Sequence, residues 1–70
     1  MSVNEKVERE VLAMIRAAHP MAVGAESIAR ILNEHEGRVV NVLNEMAAKR
    51  LVENNTNTEG RVLWREAHLP

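Results

Sequence analysis

The residues that could carry covalent chemistry are few and scattered. The 70-residue chain has no Cys, Tyr or Asp. His19 precedes a proline, His35 sits among turn-forming residues and His68 lies near the end of the chain. Glu34, His35 and Glu36 put two carboxylates beside an imidazole, yet adjacent residues on a short turn seldom converge on one metal ion. There is no glycine-rich phosphate loop. The expectation is a protein that is not an enzyme, with no metal, no cofactor and no small-molecule ligand. What remains is the charge and hydrogen-bonding capacity of Arg, Lys and Asn side chains, gathered after residue 37.

That gathering shows in the charge distribution, although the net charge is only −1. Residues 1–37 hold four basic and six acidic side chains, whereas residues 38–65 hold five basic and three acidic ones. The C-terminal half is mildly basic, far from the strongly basic domain of a dedicated nucleic-acid binder. No apolar run approaches the roughly 20 residues of a membrane-spanning helix. The polar start MSVNEKVERE has no signal-peptide character. With no Cys to oxidise, a soluble protein in a reducing, cytoplasmic setting is expected. The length supports one domain, 1–70, whose small core contributes only roughly 3–5 kcal/mol.

The elements that must position the polar residues follow from periodicity. Val7, Val11, Leu12, Met14, Ile15 and Ala18 recur at helical steps, predicting a helix over about 4–18 that Pro20 ends. Ser2 and Glu5 have capping-box spacing, with Asn4 as an alternative cap. Met21–Gly24 is either a brief strand or an extended connector. A second helix, about 25–33, presents Ile28, Ile31 and Leu32 on one face, with Gly24 as N-cap and Asn33 closing it. A third, about 37–49, carries Val39, Leu43 and Met46 inward, with Ala47 alongside. LVENN and RVLWRE then read as two strands of a hairpin over about 51–66. Alternation puts Val62 and Trp64 on one side of the last strand, and Trp64 is expected to close an aliphatic core. Met14, Met21 and Met46 read as core filler.

This order resembles the winged helix-turn-helix family. Ala29, with Ile28 before it and Leu32 after it, matches the small residue needed where the paired helices cross. Val39, Leu43, Met46, Leu51 and Val52 match the apolar spacing of the third helix and first wing strand in that family. The resemblance covers about residues 5–66. Two positions depart from it: Arg50 and Asn33 stand where glycine is frequent. It implies an α+β fold, a three-helix winged helix-turn-helix with a C-terminal β-hairpin wing.

The resemblance also implies duplex DNA binding, by a small transcriptional regulator or a DNA-transaction accessory factor. The third helix becomes the recognition helix, with Arg38, Asn41, Val42, Glu45 and Ala48 facing away from the core. Arg38 and Asn41 are then suited to reading guanine and adenine. Asn44 and Lys49 flank them, and Arg61 at the wing base is placed for phosphate or minor groove, with Asn55 to Thr58 as neutral donors. The alternative is a protein-interaction module, which suits the acidic balance and the phosphate-repelling Glu36 and Glu45. A homodimer through the first helix or the His68-Leu69-Pro70 tail is expected to strengthen a weak monomer. A Trp in the last strand also occurs in winged helices that bind left-handed DNA. That subgroup uses an Asn and a Tyr on its third helix and prolines in its wing. This chain has Val40 and Asn44 at those helix positions and no wing proline, so the reading sets the subgroup aside.

Overall fold

Val7, Val11 and Ile15 stand one helical turn apart, and all three are buried. They form the inner stripe of the first helix in the computed structural model, which describes residues 3–67. The elements are α1 (Val3–Ala18), β1 (Val23–Gly24), α2 (Ala25–Leu32), α3 (Glu36–Ala48), β2 (Val52–Thr56) and β3 (Val62–Glu66). Helix α1 stops before Pro20, as expected. Asn4 lies within α1 and so is not its cap. Ser2 and the His68-Leu69-Pro70 tail fall outside the described residues.

Helix α2 starts at an extended Gly24 and ends at Asn33, whose φ of 56° is left-handed. The Glu34 amide donates to the Ala29 carbonyl at 2.9 Å, tying off the helix end. Its inner stripe is Ala25, Ile28, Ala29 and Leu32, the three- and four-residue spacing of one helix face. Ile31 falls beside that stripe and is 69% exposed, which corrects its expected place in the core.

Helix α3 repeats the pattern with Val39, Val42, Leu43 and Met46, all buried. Val42 was expected to face outward, but it is only 2% exposed. It lies a step of three from Val39 and of four from Met46, within the same stripe. The end of α3 carries an unusual residue. Arg50 has φ 62°, and the Arg50 and Leu51 amides donate to the Ala47 and Met46 carbonyls at 3.0 and 2.9 Å. This is a Schellman termination with Arg where glycine is at ease. The departure noted in the sequence therefore leaves the geometry unchanged and places an Arg in it.

The hairpin joins the third, two-residue strand in one antiparallel sheet of order β1-β3-β2. Trp64 pairs with Val23 on one side and Asn54 on the other. The strand reading of Met21–Gly24 is correct for Val23 and Gly24. Trp64 is buried at 4% exposure and joins the core formed by the three helices and Val52. Val62 shares its side of β3 but lies nearer the hairpin tip, and is 48% exposed. Met21 is 73% exposed rather than core filler, because the turn after α1 carries it outward. Arg16 pairs with Glu66 at 2.8 Å, linking α1 to β3. Cross-strand Arg65 and Glu53 pair at 2.6 Å.

Candidate nucleic-acid interface

Helix α3 packs one stripe into the core, leaving two flanks and an outer face. Glu36, Val40 and Asn44, four residues apart, form the flank toward the hairpin. Across from them Asn54, Arg61, Val62, Leu63 and Trp64 complete an open cleft of about 650 Å³. The third wall is Gly24 to Ser27, where β1 enters α2. The walls are mixed: a Trp edge and aliphatic side chains, three neutral polar groups, one guanidinium, and the carboxylates of Glu26 and Glu36.

The hairpin tip holds Arg61 in place from the backbone outward. Asn57 accepts through Oδ1 from the Glu59 and Arg61 amides at 3.0 and 2.9 Å. Its own amide donates to the Arg61 carbonyl at 2.9 Å, and Gly60, at φ 85°, donates to the Asn57 carbonyl. A left-handed fourth residue suits glycine. The Asn57 oxygen is therefore spent on the turn, while its side-chain NH2 is the group that would act as the expected neutral donor. The Arg61 guanidinium has no ion-pair partner among the described residues, and its side chain is exposed.

The five residues expected to bind DNA divide accordingly. Asn44 and Arg61 are brought together on facing walls of the cleft. Asn41 is exposed on the outer face of α3, as expected. Arg38 and Lys49 lie on the far flank, away from the hairpin. Arg38 pairs with Glu34 at 3.6 Å and Lys49 with Glu8 of α1 at 3.3 Å. Exposed pairs of this kind contribute about 0–1 kcal/mol, so neither side chain is locked. Asn54 was missed. Alternation was the available signal, because Asn54 shares a side of β2 with buried Val52 and pairs with Trp64. Glu36 has no partner among the described residues, whereas Glu26 pairs with Arg30 at 3.1 Å.

No family model and no curated protein matches this chain. Solved structures do. The apo Zalpha domain of zebrafish PKZ is similar at a TM-score of 0.83 and 18% identity, covering 96% of this chain and 100% of that one. The Zalpha domain of Carassius auratus PKZ, solved in complex with Z-DNA, is similar at a TM-score of 0.76 and 22% identity, covering 93% and 98%. These are domains of the subgroup that the sequence reading set aside. The difference has a physical reason: Val40, Asn44 and the proline-free hairpin are surface features, while the likeness lies in the backbone built by the buried stripes. Three helices, a helix-turn-helix pair and a hairpin packed on a matching backbone make this chain a winged helix-turn-helix domain.

Proposed function

We propose that this protein binds double-stranded DNA through the face formed by α3 and the wing, without catalysis or cofactor. The carrying observation is the cleft that brings Asn44, on the recognition helix, opposite the unpaired Arg61 of the wing. The fold likeness to a domain solved with Z-DNA supports a nucleic acid as the partner of this face. A small transcriptional regulator or DNA-transaction accessory factor, acting in the cytoplasm as a homodimer, is the role that suits a weakly charged DNA-binding face of this kind. No helix among the described residues is long and apolar enough to cross a membrane.

The electrostatics set the expected strength. Arg61 stands on the cleft face, opposed by Glu36, while Arg38 and Lys49 can reach phosphate only from the far flank of α3, where each is weakly ion-paired. Neutralising about one to three phosphates gives a log–log salt slope of about −1 to −3. The test is a titration with random-sequence duplex and with an alternating CG duplex, at low and then moderate salt. Amide shifts should centre on residues 36–49 and 54–64 and fade as salt rises, with circular dichroism reporting the handedness of the bound DNA. Absence of any response in this region at low salt, with both duplexes, rejects the reading.

A further inference from the structure

We propose that the outer edge of strand β2 is a self-complementary docking edge that takes a second copy of this chain, strand against strand. The inference rests on the homodimer reading and supplies its surface. It does not depend on DNA binding.

The phase of the hairpin ladder decides which backbone groups are free. Two hydrogen bonds bracket it: the Ala67 amide donates to the Leu51 carbonyl at 3.1 Å, and the Asn57 amide to the Arg61 carbonyl at 2.9 Å. Between them the register runs without a bulge from Val52–Glu66 to Thr56–Val62. Bonded pairs alternate along an antiparallel ladder, so Glu53 and Asn55 direct their N–H and C=O groups to β3. Val52, Asn54 and Thr56 direct theirs the other way, and β2 is the last strand of the sheet on that side. Val52 is only 2% exposed, whereas Asn54 and Thr56 are open to solvent. The usable edge is therefore the N–H and C=O groups of Asn54 and Thr56, which bond no described residue.

Open edges are ordinarily blunted by lysine, proline, an inward charge or a bulge. The stretch Asn54-Asn55-Thr56 has none of these. The one charge in β2, Glu53, is answered within the chain by Arg65 at 2.6 Å.

A second copy fits this edge in one antiparallel register. With Asn55 facing its own equivalent across a two-fold axis, Asn54 of each copy pairs with Thr56 of the other, and every open group on both edges is satisfied. Registers centred nearer Val52 run into buried backbone. In this one the two Glu53 residues stand about 14 Å apart along the strands, so their charges do not oppose pairing. The register also carries the tip of each wing, with Glu59, level with Arg50 of the other copy. Both side chains are exposed and neither is ion-paired among the described residues, so the tips and the ends of α3 attract. An unrelated strand could meet the same backbone groups, but only a copy matches the edge and the charges together. The interface falls short of the roughly 1,200 Å² of a stable complex, which sets a dissociation constant on the order of 0.1–0.5 mM.

The test follows the wild-type protein from about 20 µM to about 1 mM by sedimentation and by solvent-exchange NMR. The Asn54 and Thr56 amides should exchange about threefold more slowly at the higher concentration, while those of Glu53 and Asn55 stay unchanged. Thr56→Pro removes only an outward N–H, so it should keep the helical circular dichroism yet remain monomeric. Because the chain has no Cys, a single introduced thiol crosslinks only between copies. Asn55→Cys places the two thiols on a facing pair about 4.5 Å apart at Cα, within disulfide reach. Asn54→Cys leaves them about 9 Å apart, beyond it. Asn55→Cys should therefore crosslink about tenfold faster than Asn54→Cys. Equal crosslinking at both positions overturns the inference, as does a folded Thr56→Pro that dimerises like the wild type. The amide and crosslinking readouts decide the matter even where that variant is unfolded. A dimer whose Asn54 and Thr56 amides do not respond overturns this surface and leaves the homodimer reading standing. A wild type that stays monomeric throughout overturns both, and DNA binding is untouched.

Discussion

Arg50 shows how one residue can occupy a conformation that its type does not favour. It ends α3 in the left-handed region, where a β-carbon crowds the backbone by about 1 kcal/mol or more. The Leu51 amide bond to Met46 and the packing of Leu51 against the core hold it there. Arg50→Gly should therefore stabilise the domain by up to about 1 kcal/mol, part of the gain being lost to glycine's freedom in the unfolded chain. A thermal melt followed by circular dichroism should rise by roughly 4–8 °C per kcal/mol gained. An unchanged or lower melting temperature would show that the Arg side chain contributes something the geometry does not reveal. The same scale explains the errors in reading Ile31, Val42 and Met21. Each is apolar, and type alone does not say whether it falls inside a stripe, beside it or on a turn.

At the scale of the element, the wing is organised by one side chain. Asn57 binds the amides of Glu59 and Arg61 and so replaces part of the ladder that the loop interrupts. Asn57→Ala removes the single oxygen that accepts both hydrogen bonds, each bond contributing about 0.5–1.5 kcal/mol. Hydrogen exchange at the Glu59 and Arg61 amides should accelerate severalfold while α3 amides keep their protection. Duplex binding should weaken in parallel, because Arg61 loses its fixed base. If exchange is unchanged, the turn is held by the backbone bonds of Asn57 to Gly60 and Arg61 rather than by the side chain. Helix ends are the other lesson at this scale. Gly24 and Asn33 were readable as caps because few residue types tolerate those positions. The hairpin turn was readable as a turn, but its closing residue was not, since Asn55, Asn57 and two threonines all offered side-chain hydrogen bonds.

The whole molecule is a small core shared by every element. Leu43 is fully buried in the middle of it. Leu43→Ala should cost about 2–5 kcal/mol, against the roughly 3–5 kcal/mol that such a core supplies. The variant should be largely unfolded near 37 °C, with lost helical circular dichroism as the readout. A cooperative melt close to the wild type's would imply stabilisation from beyond the single chain, such as a partner subunit. Charge is also a property at this scale. Net charge barely differs from zero, yet the arrangement leaves Arg61 unpaired on the cleft and Arg38 and Lys49 weakly held on the far flank.

The order of three helices and a hairpin, most of the buried stripes, the caps of α2 and the family likeness were all present in the chain itself. Those features depend on spacing along one element and on the local limits of Gly, Asn and Pro. Which cations and amides meet was decided only by tertiary structure. It depends on the rotation of α3 against the sheet and on β3 taking the central place between β1 and β2. Five separated residues were one list in the sequence. Packing divides them into Asn44 and Arg61 across one cleft, Asn41 outside it, and two paired cations behind. It also exposes Glu36 at the front of that cleft, because burying Val39 and Leu43 turns the intervening flank of α3 toward the wing.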